Sequence, residues 1–281
     1  MIAICPNPFR DSELKYTRQA AEMLHAAGYE TAVCPVFAED APQMIPEDIK
    51  ATTLDAVRSR CSLVVVIGGD GTILSAARQL HNADIPILGV NLGSKGFMAA
   101  LEPEHMQLIV KAAAGEYTVS RRMMLDIELE RGGEIIYRDK ALNDVVLHGY
   151  GDCIRLTAWC AGDRITSFSG DGIILSTPTG STGYSMSAGG PIVEPEASAI
   201  IVSPICAHMM SARSYVLSAS HDVSVLAEKL HGRRAYISVD GNSVMDLANG
   251  DLLRVRRSEH CILMADMGLK SFFDLAFEKL T

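Results

Sequence analysis

The chain has 281 residues, 34 of them acidic and 25 basic, for a formal net charge of −9. That length suits one large domain or two ordinary ones, and it can bury a core without disulfides. The acidic balance argues against a nucleic-acid binder with a broad basic face and against docking on an anionic membrane, although a local pocket can still hold a small polyanion. The seven cysteines (Cys5, Cys34, Cys61, Cys153, Cys160, Cys206 and Cys261) are scattered and form no Cys-x-x-Cys pair. They read as thiols in a reducing compartment, with no disulfide framework and no zinc cluster. Met1–Arg10 lacks the basic-then-apolar pattern of a secretory signal, and no apolar run approaches the roughly 18 residues that span a bilayer. The expected location is the cytoplasm.

The first part of the chain alternates apolar runs with helical patterns. Met1–Cys5 reads as a strand. Asp11 or Ser12 can cap a helix that places Leu14, Ala21 and Leu24 on one face and ends at Gly28. Glu30–Val33 reads as a strand, residues 46–60 as a helix, and Leu63–Ile67 as a strand covered on both faces. A helix is predicted from Thr72 to Leu80, a strand over Ile85–Val90, and a helix from Pro103 to Ala114. Strands separated by helices predict a parallel sheet.

Near residue 119 the period changes to two. Leu125, Ile127 and Leu129 alternate with Asp126, Glu128 and Glu130, and Gly132-Gly133 marks a hairpin. Further strands are predicted at Leu142–His148, Ile154–Trp159, Ile200–Ser203, Val223–Ala227, Ala235–Val239, Leu252–Arg257 and Cys261–Met264. The expected fold is an α/β N-terminal domain with a parallel sheet, followed by a β-rich, antiparallel, sandwich-like C-terminal domain. Its expected boundaries are 1–118, joined by 266–281, and 119–265. A cleft between the two is the default place for a ligand.

Three segments carry chemistry. Leu63–Ile67 runs into Gly68-Gly69-Asp70-Gly71-Thr72. Glycines let backbone amides approach an anion, and the next helix aims its N-terminus at the same point. Asp70 is the odd member. A carboxylate there either holds the Mg²⁺ of a nucleotide or accepts a proton from an attacking hydroxyl; in the plainer alternative it only caps the helix. In a second glycine turn, residues 89–97, Lys95 can offer a counter-charge to phosphate or simply face solvent. From Asp171 to Pro191 hydroxyl residues and glycines dominate, which suits a ligand with phosphates, riboses and base edges. Tyr184 can stack on a ring, and Asn143-Asp144 can read an adenine edge and ribose hydroxyls or merely turn the chain into a strand.

Together these segments resemble the NAD kinase family. The resemblance rests on Gly68-Gly69-Asp70-Gly71-Thr72, Asn143-Asp144, the Asp171–Pro191 block and Ser238-Val239-Asp240-Gly241. It implies phosphorylation of the adenosine ribose 2′-hydroxyl of NAD by ATP, forming NADP. It also implies Mg²⁺ or another divalent ion carried with ATP and a homo-oligomer. In that family the aspartate of the glycine turn, here Asp70, is the base. Nucleotide and NAD positions map to Gly68, Gly69, Gly71, Thr72, Asn143, Asp144, Asp171, Thr182, Gly183, Tyr184 and Ser187, with Asn242 as a late polar contact. No residue has metal-cage spacing. Three positions depart from the family pattern: Asp144 replaces a glutamate, Gly183 an alanine, and Ser75 a basic residue, for which Arg78, one helical turn onward, is a candidate substitute. A lipid or sugar-phosphate kinase with a similar glycine turn, and a non-catalytic dinucleotide sensor, are the alternatives.

Overall fold

A computed structural model describes residues 1–36, 44–80, 83–93, 96–209 and 211–280. Lys95 therefore lies outside the described residues. The chain divides into two compact units, Met1–Arg121 with Ile262–Thr281, and Arg122–Cys261.

The first unit is α/β. Its strands are β1 (Ile2–Pro6), β2 (Thr31–Val33), β3 (Leu63–Gly68) and β4 (Ile87–Asn91). They form a parallel sheet in the order β2-β1-β3-β4, with Ile2 opposite Leu63 and Val64 opposite Ile87. Every residue of β3 is buried. Alternate side chains Leu63, Val65 and Ile67 join Ile2, Ile4, Leu88 and Val90 in one core with residues of α1 (Lys15–Ala26) and α4 (Leu108–Ala113). Helix α3 (Asp70–Leu80) packs on β1, β3 and β4 through its own apolar face, which includes Ile73, Ala76 and Leu80. Burying each large aliphatic side chain of this sheet is worth about 1.5–3 kcal/mol over leaving it in water.

Two predicted helices are shorter than their patterns. Of residues 46–60, only α2 (Leu54–Val57) is α-helical, followed by a 3-10 turn at Arg58–Arg60. The reason is tertiary: Thr52 N–H donates to Val33 O and Ala51 bridges Val33, so the segment ahead of α2 is drawn into extended pairing. The 103–114 helix splits into a 3-10 turn at Pro103–His105 and then α4.

The second unit is antiparallel. Strands β5 (Thr118–Arg131) and β6 (Glu134–Ala141) form the predicted hairpin, and both turn glycines, Gly132 and Gly133, have positive φ. Then come β7 (Asp144–Gly149), β8 (Ile154–Cys160), β9 (Asp163–Gly170), β10 (Gly172–Ser176), the single helical turn α5 (Tyr184–Ser187), β11 (Ala199–Ile205), β12 (Tyr215–Ser218), β13 (Val223–Glu228), β14 (Ala235–Val239), β15 (Asn242–Asp246) and β16 (Leu252–Asp266). One sheet has the order β12-β11-β10-β7-β14-β15. The other joins β16, β13, β8 and β9, with the β5–β6 hairpin paired to β16. A single core holds inward residues of both sheets, among them Leu125, Ile127 and Leu129, Leu147, Ile173, Val202, Val225 and Ile237.

Strand β16 corrects the prediction of two separate strands. Ser258 bridges the interval, accepting from Lys140 Nζ at 3.0 Å and from His260 N at 3.3 Å, and pairing runs on without a turn. Its last residues belong to the first unit, where Met264 pairs in parallel with Ile87. The terminal helix α6 (Phe272–Leu280) belongs to that unit too. No helix among the described residues is long and apolar enough to cross a membrane.

Asp11 does cap α1, from a distance in sequence. Glu13 and Leu14 take positive φ, and the buried Asp11 carboxylate then accepts from Tyr16 N, Thr17 N (2.9 Å each) and Thr17 Oγ1 (2.7 Å). Asp11→Ala removes the cap and strands buried donors, so we expect a loss of about 2 kcal/mol in urea unfolding. An unchanged midpoint would show that the helix start does not depend on Asp11.

Candidate active site

In the first unit the glycine turn joins β3 directly to α3. A Cβ on Gly68 would lie 2.4 Å from Thr72 Oγ1 and 2.9 Å from Asn7 Cβ, so no side chain fits there. Thr72 is buried, and its hydroxyl accepts from Asn7 Nδ2 at 3.1 Å. Gly71, by contrast, faces open space. The amides of Thr72 and Ile73 donate to Gly69 O, which sets the start of the helix one residue after Gly69. The turn thus combines bare backbone with the positive end of an 11-residue helix.

Asp70 stands at the first position of α3, and its carboxylate turns away from the helix. Oδ2 accepts from Phe97 N at 3.0 Å and Oδ1 from Met98 N at 3.2 Å. It is therefore held from the loop after β4, which is not the geometry of a helix cap. Burial raises its pKa, while the two amides and the charge of Lys279 on α6 oppose the rise; the net shift is upward. On α3, Ser75 spends its hydroxyl on Gly71 O. Arg78 is exposed and eight residues along the helix, which puts its Cα roughly 12 Å up the axis from Asp70.

In the second unit a different carboxylate organises the site. Asp240, at φ 47° in the β14–β15 turn, accepts from three consecutive amides: Leu142 N at 2.9 Å, Asn143 N at 2.7 Å and Asp144 N at 3.1 Å. Its own amide donates to Asp144 O. Thr177 closes the other side, its hydroxyl donating to Leu142 O at 2.6 Å and its amide to Asn143 O at 2.8 Å. Gly180 packs on the same peptide, because a Cβ there would fall 2.2 Å from Asn143 O. Asn143, Asp144 and the Thr177–Gly183 segment are thereby brought together.

Asp144 is buried, and desolvation together with the charge of Asp240 pushes its pKa up to about 7. Asn143 Oδ1 and Thr179 Oγ1 are buried with no hydrogen-bond partner among the described residues. Ser176 Oγ is a third such atom, and buried polar atoms left so are uncommon. Tyr184 opens α5 and is 41% exposed; partial burial raises its pKa, with smaller contributions from neighbouring groups that include Asp171 and Asp144. Asp171 is tied through its backbone to Gly149 N and Ile205 O, and its carboxylate accepts from the Cys206 thiol, raising the thiol's pKa. Thr182 donates to Thr179 O at 3.3 Å. Ser187 is exposed at the end of α5. Gly183 keeps its amide on Gly180 O, and a Cβ would meet that oxygen at 3.3 Å, so the missing methyl leaves the backbone contact in place. Asn242 is exposed, and its side-chain amide donates to Asp240 O at 3.5 Å.

Sequence reasoning passed over Asn7, Phe97, Met98, Thr177 and the pinning role of Asp240. Asp240 had a signal, its Asp-Gly turn. The amides of Phe97 and Met98 had none, since backbone donors carry no residue signature.

The sign of the Asp144 effect is testable. A raised carboxyl favours the folded state while it is protonated and loses that contribution as pH rises from about 4 to about 7. Asp144→Asn should therefore be more stable than the parent chain at pH 8, with the gain fading below about pH 4. Urea midpoints across that range check it; a pH-independent difference would contradict the burial of a charge.

Residues 2–117 match the ATP-NAD kinase N-terminal domain family and residues 120–266 the ATP-NAD kinase C-terminal domain family. An NAD kinase of Acetivibrio thermocellus is 36% identical over 282 residues, covering 99% of this chain and 96% of that protein. One of Geobacter metallireducens is 40% identical over 232 residues, 81% of each chain. Yeast NADH kinase solved with NADH superposes with a TM-score of 0.86 at 27% identity, covering 99% of this chain and 86% of the other. An NAD kinase from Archaeoglobus fulgidus solved with ATP gives 0.76 at 25% identity, covering 100% and 98%. On matches that together span residues 2–266, and on relatives this similar over this length, the chain belongs to the ATP-NAD kinase family.

Proposed function

We propose that the protein transfers the γ-phosphoryl group of ATP to the 2′-hydroxyl of the adenosine ribose of NAD, forming NADP. Asp70 carries the reading. Its carboxylate is oriented by two amides, sits at the N-terminus of α3, and has a raised proton affinity. That suits a group that takes the ribose proton as the phosphoryl group arrives. The bare turn at Gly68, Gly69, Gly71 and Thr72 offers backbone to the phosphates. Asn143, Asp144, Asp171, Thr182, Gly183, Tyr184 and Ser187 are assigned to the dinucleotide. The unpartnered Asn143 Oδ1 would accept from the adenine edge, and ionised Asp144 from a ribose hydroxyl. Asn242 stays a peripheral contact.

Phosphoryl transfer depends mainly on positioning and on neutralising phosphate charge. A divalent ion carried in with ATP as part of the substrate would supply that neutralisation. Among the described residues no group of three or more His, Cys, Asp or Glu side chains is placed to hold a metal by itself. A homo-oligomer in the cytoplasm completes the reading.

Asp70→Asn should lower kcat for NADP formation by at least about a hundredfold, the lower range for losing a general base, while NAD affinity stays within threefold of the parent. The parent's acid limb in kcat/KM should lie above the ordinary aspartate value of 3.8. Near-normal turnover by the Asn variant would overturn the role of Asp70, and turnover undiminished in EDTA would overturn that of the divalent ion.

A further inference from the structure

The substrates assigned above are polyanions, and Asp70 adds negative charge beside them. The position on α3 where the resemblance implies a basic residue is Ser75 in this chain. A cationic side chain that sits on the glycine turn comes from elsewhere: Arg10, in the loop after β1. Its placement is set by the backbone before it. Asn7 Oδ1 accepts from Phe9 N at 3.1 Å, Asn7 O accepts from Arg10 N at 3.0 Å and Asp11 N at 2.8 Å, and Asn7 Nδ2 ties the loop to Thr72. Asp11 then anchors the far end of the loop to α1.

From this loop the guanidinium reaches over the turn. Nη1 donates to Leu92 O at 3.3 Å. A Cβ on Gly69 would lie 3.9 Å from Arg10 Nε, and one on Gly93 would lie 3.2 Å from Arg10 Nη1 and 3.7 Å from Gly69 Cα. The two glycine turns that follow β3 and β4 thus lie side by side with the guanidinium against both; a Cβ at Gly93 would crowd it, while one at Gly69 would meet it at ordinary van der Waals distance. Arg10 is exposed and has no carboxylate partner within 4.0 Å among the described residues. One of its five N–H donors is used, and the planar fork matches phosphate oxygens.

We propose that Arg10 is a binding residue for the polyphosphate of the phosphoryl donor, gripping it over Gly69 and Gly93 next to Asp70. The inference rests on the function proposed above and adds to it a cationic side chain at the glycine turn. It assigns Arg10 to the donor and not to the dinucleotide acceptor.

The test separates the two substrates. Arg10→Gln and Arg10→Met should each raise KM for ATP about tenfold, the usual weight of one charge-assisted phosphate contact, with KM for NAD within twofold. Titration calorimetry with ATP and Mg²⁺ should show the same loss of affinity, and Arg10→Lys should recover part of it. If both neutral variants keep the parent's KM for ATP, or shift KM for NAD instead, the inference falls. A variant that does not fold is replaced by the other, and the calorimetry reads binding without turnover. If the parent chain binds ATP through Arg10 yet makes no NADP, the proposed function fails while this assignment stands.

Discussion

The carboxylate of Asp240 accepts hydrogen bonds from Leu142, Asn143 and Asp144 in succession, and the architecture of the second unit's site hangs on that contact. Three parallel amide dipoles converging on one anion give a strong, charge-assisted anchor. The anchor fixes the peptide ahead of β7, on which Thr177 and Gly180 then pack. Asp144 follows necessarily. Its amide is part of the anchor and its side chain is buried, so desolvation and the charge of the Asp240 carboxylate raise its proton affinity. An energetically unfavourable acid is thereby kept in place by a favourable one. A carboxyl group perturbed in this way is a candidate member of a functional site.

The first unit reaches a similar end with uncharged parts. Asn7 holds its own loop with its backbone oxygen and reaches Thr72 with its amide. Gly68 leaves room for Thr72, and Gly93 leaves room for the Arg10 guanidinium. The turn is thus shaped by side chains that are absent as much as by those present. Asp70 is the exception: amides of Phe97 and Met98 orient it and leave the remaining lone pairs of each oxygen for chemistry.

Much of this was legible in the residues. The alternation of Leu125, Ile127 and Leu129 with acidic neighbours marks β5 because one face of that strand enters the core and the other is wet. The run Leu63–Ile67 marks a strand buried on both faces. What escaped were features set by distant partners. Residues 46–60 carry a helical pattern, yet β2 captures their middle as an extended segment. Strand β10 hides inside the polar block because its apolar run, Gly172–Ser176, is short and merges with the motif. The glycine turn, Asn143-Asp144 and the Asp171 block could be singled out by type and spacing. The contacts that orient them, from Asp240, Thr177, Phe97 and Met98, could not, since these depend on which strands become neighbours.

The account turns on one activity. Purified protein incubated with NAD, ATP and Mg²⁺ should form NADP, read continuously with an NADP-specific dehydrogenase, and the product should carry its new phosphate on the adenosine 2′-oxygen. Protein that binds NAD and ATP but forms no NADP, or that leaves NAD untouched while phosphorylating a diacylglycerol or a sugar phosphate, would contradict it.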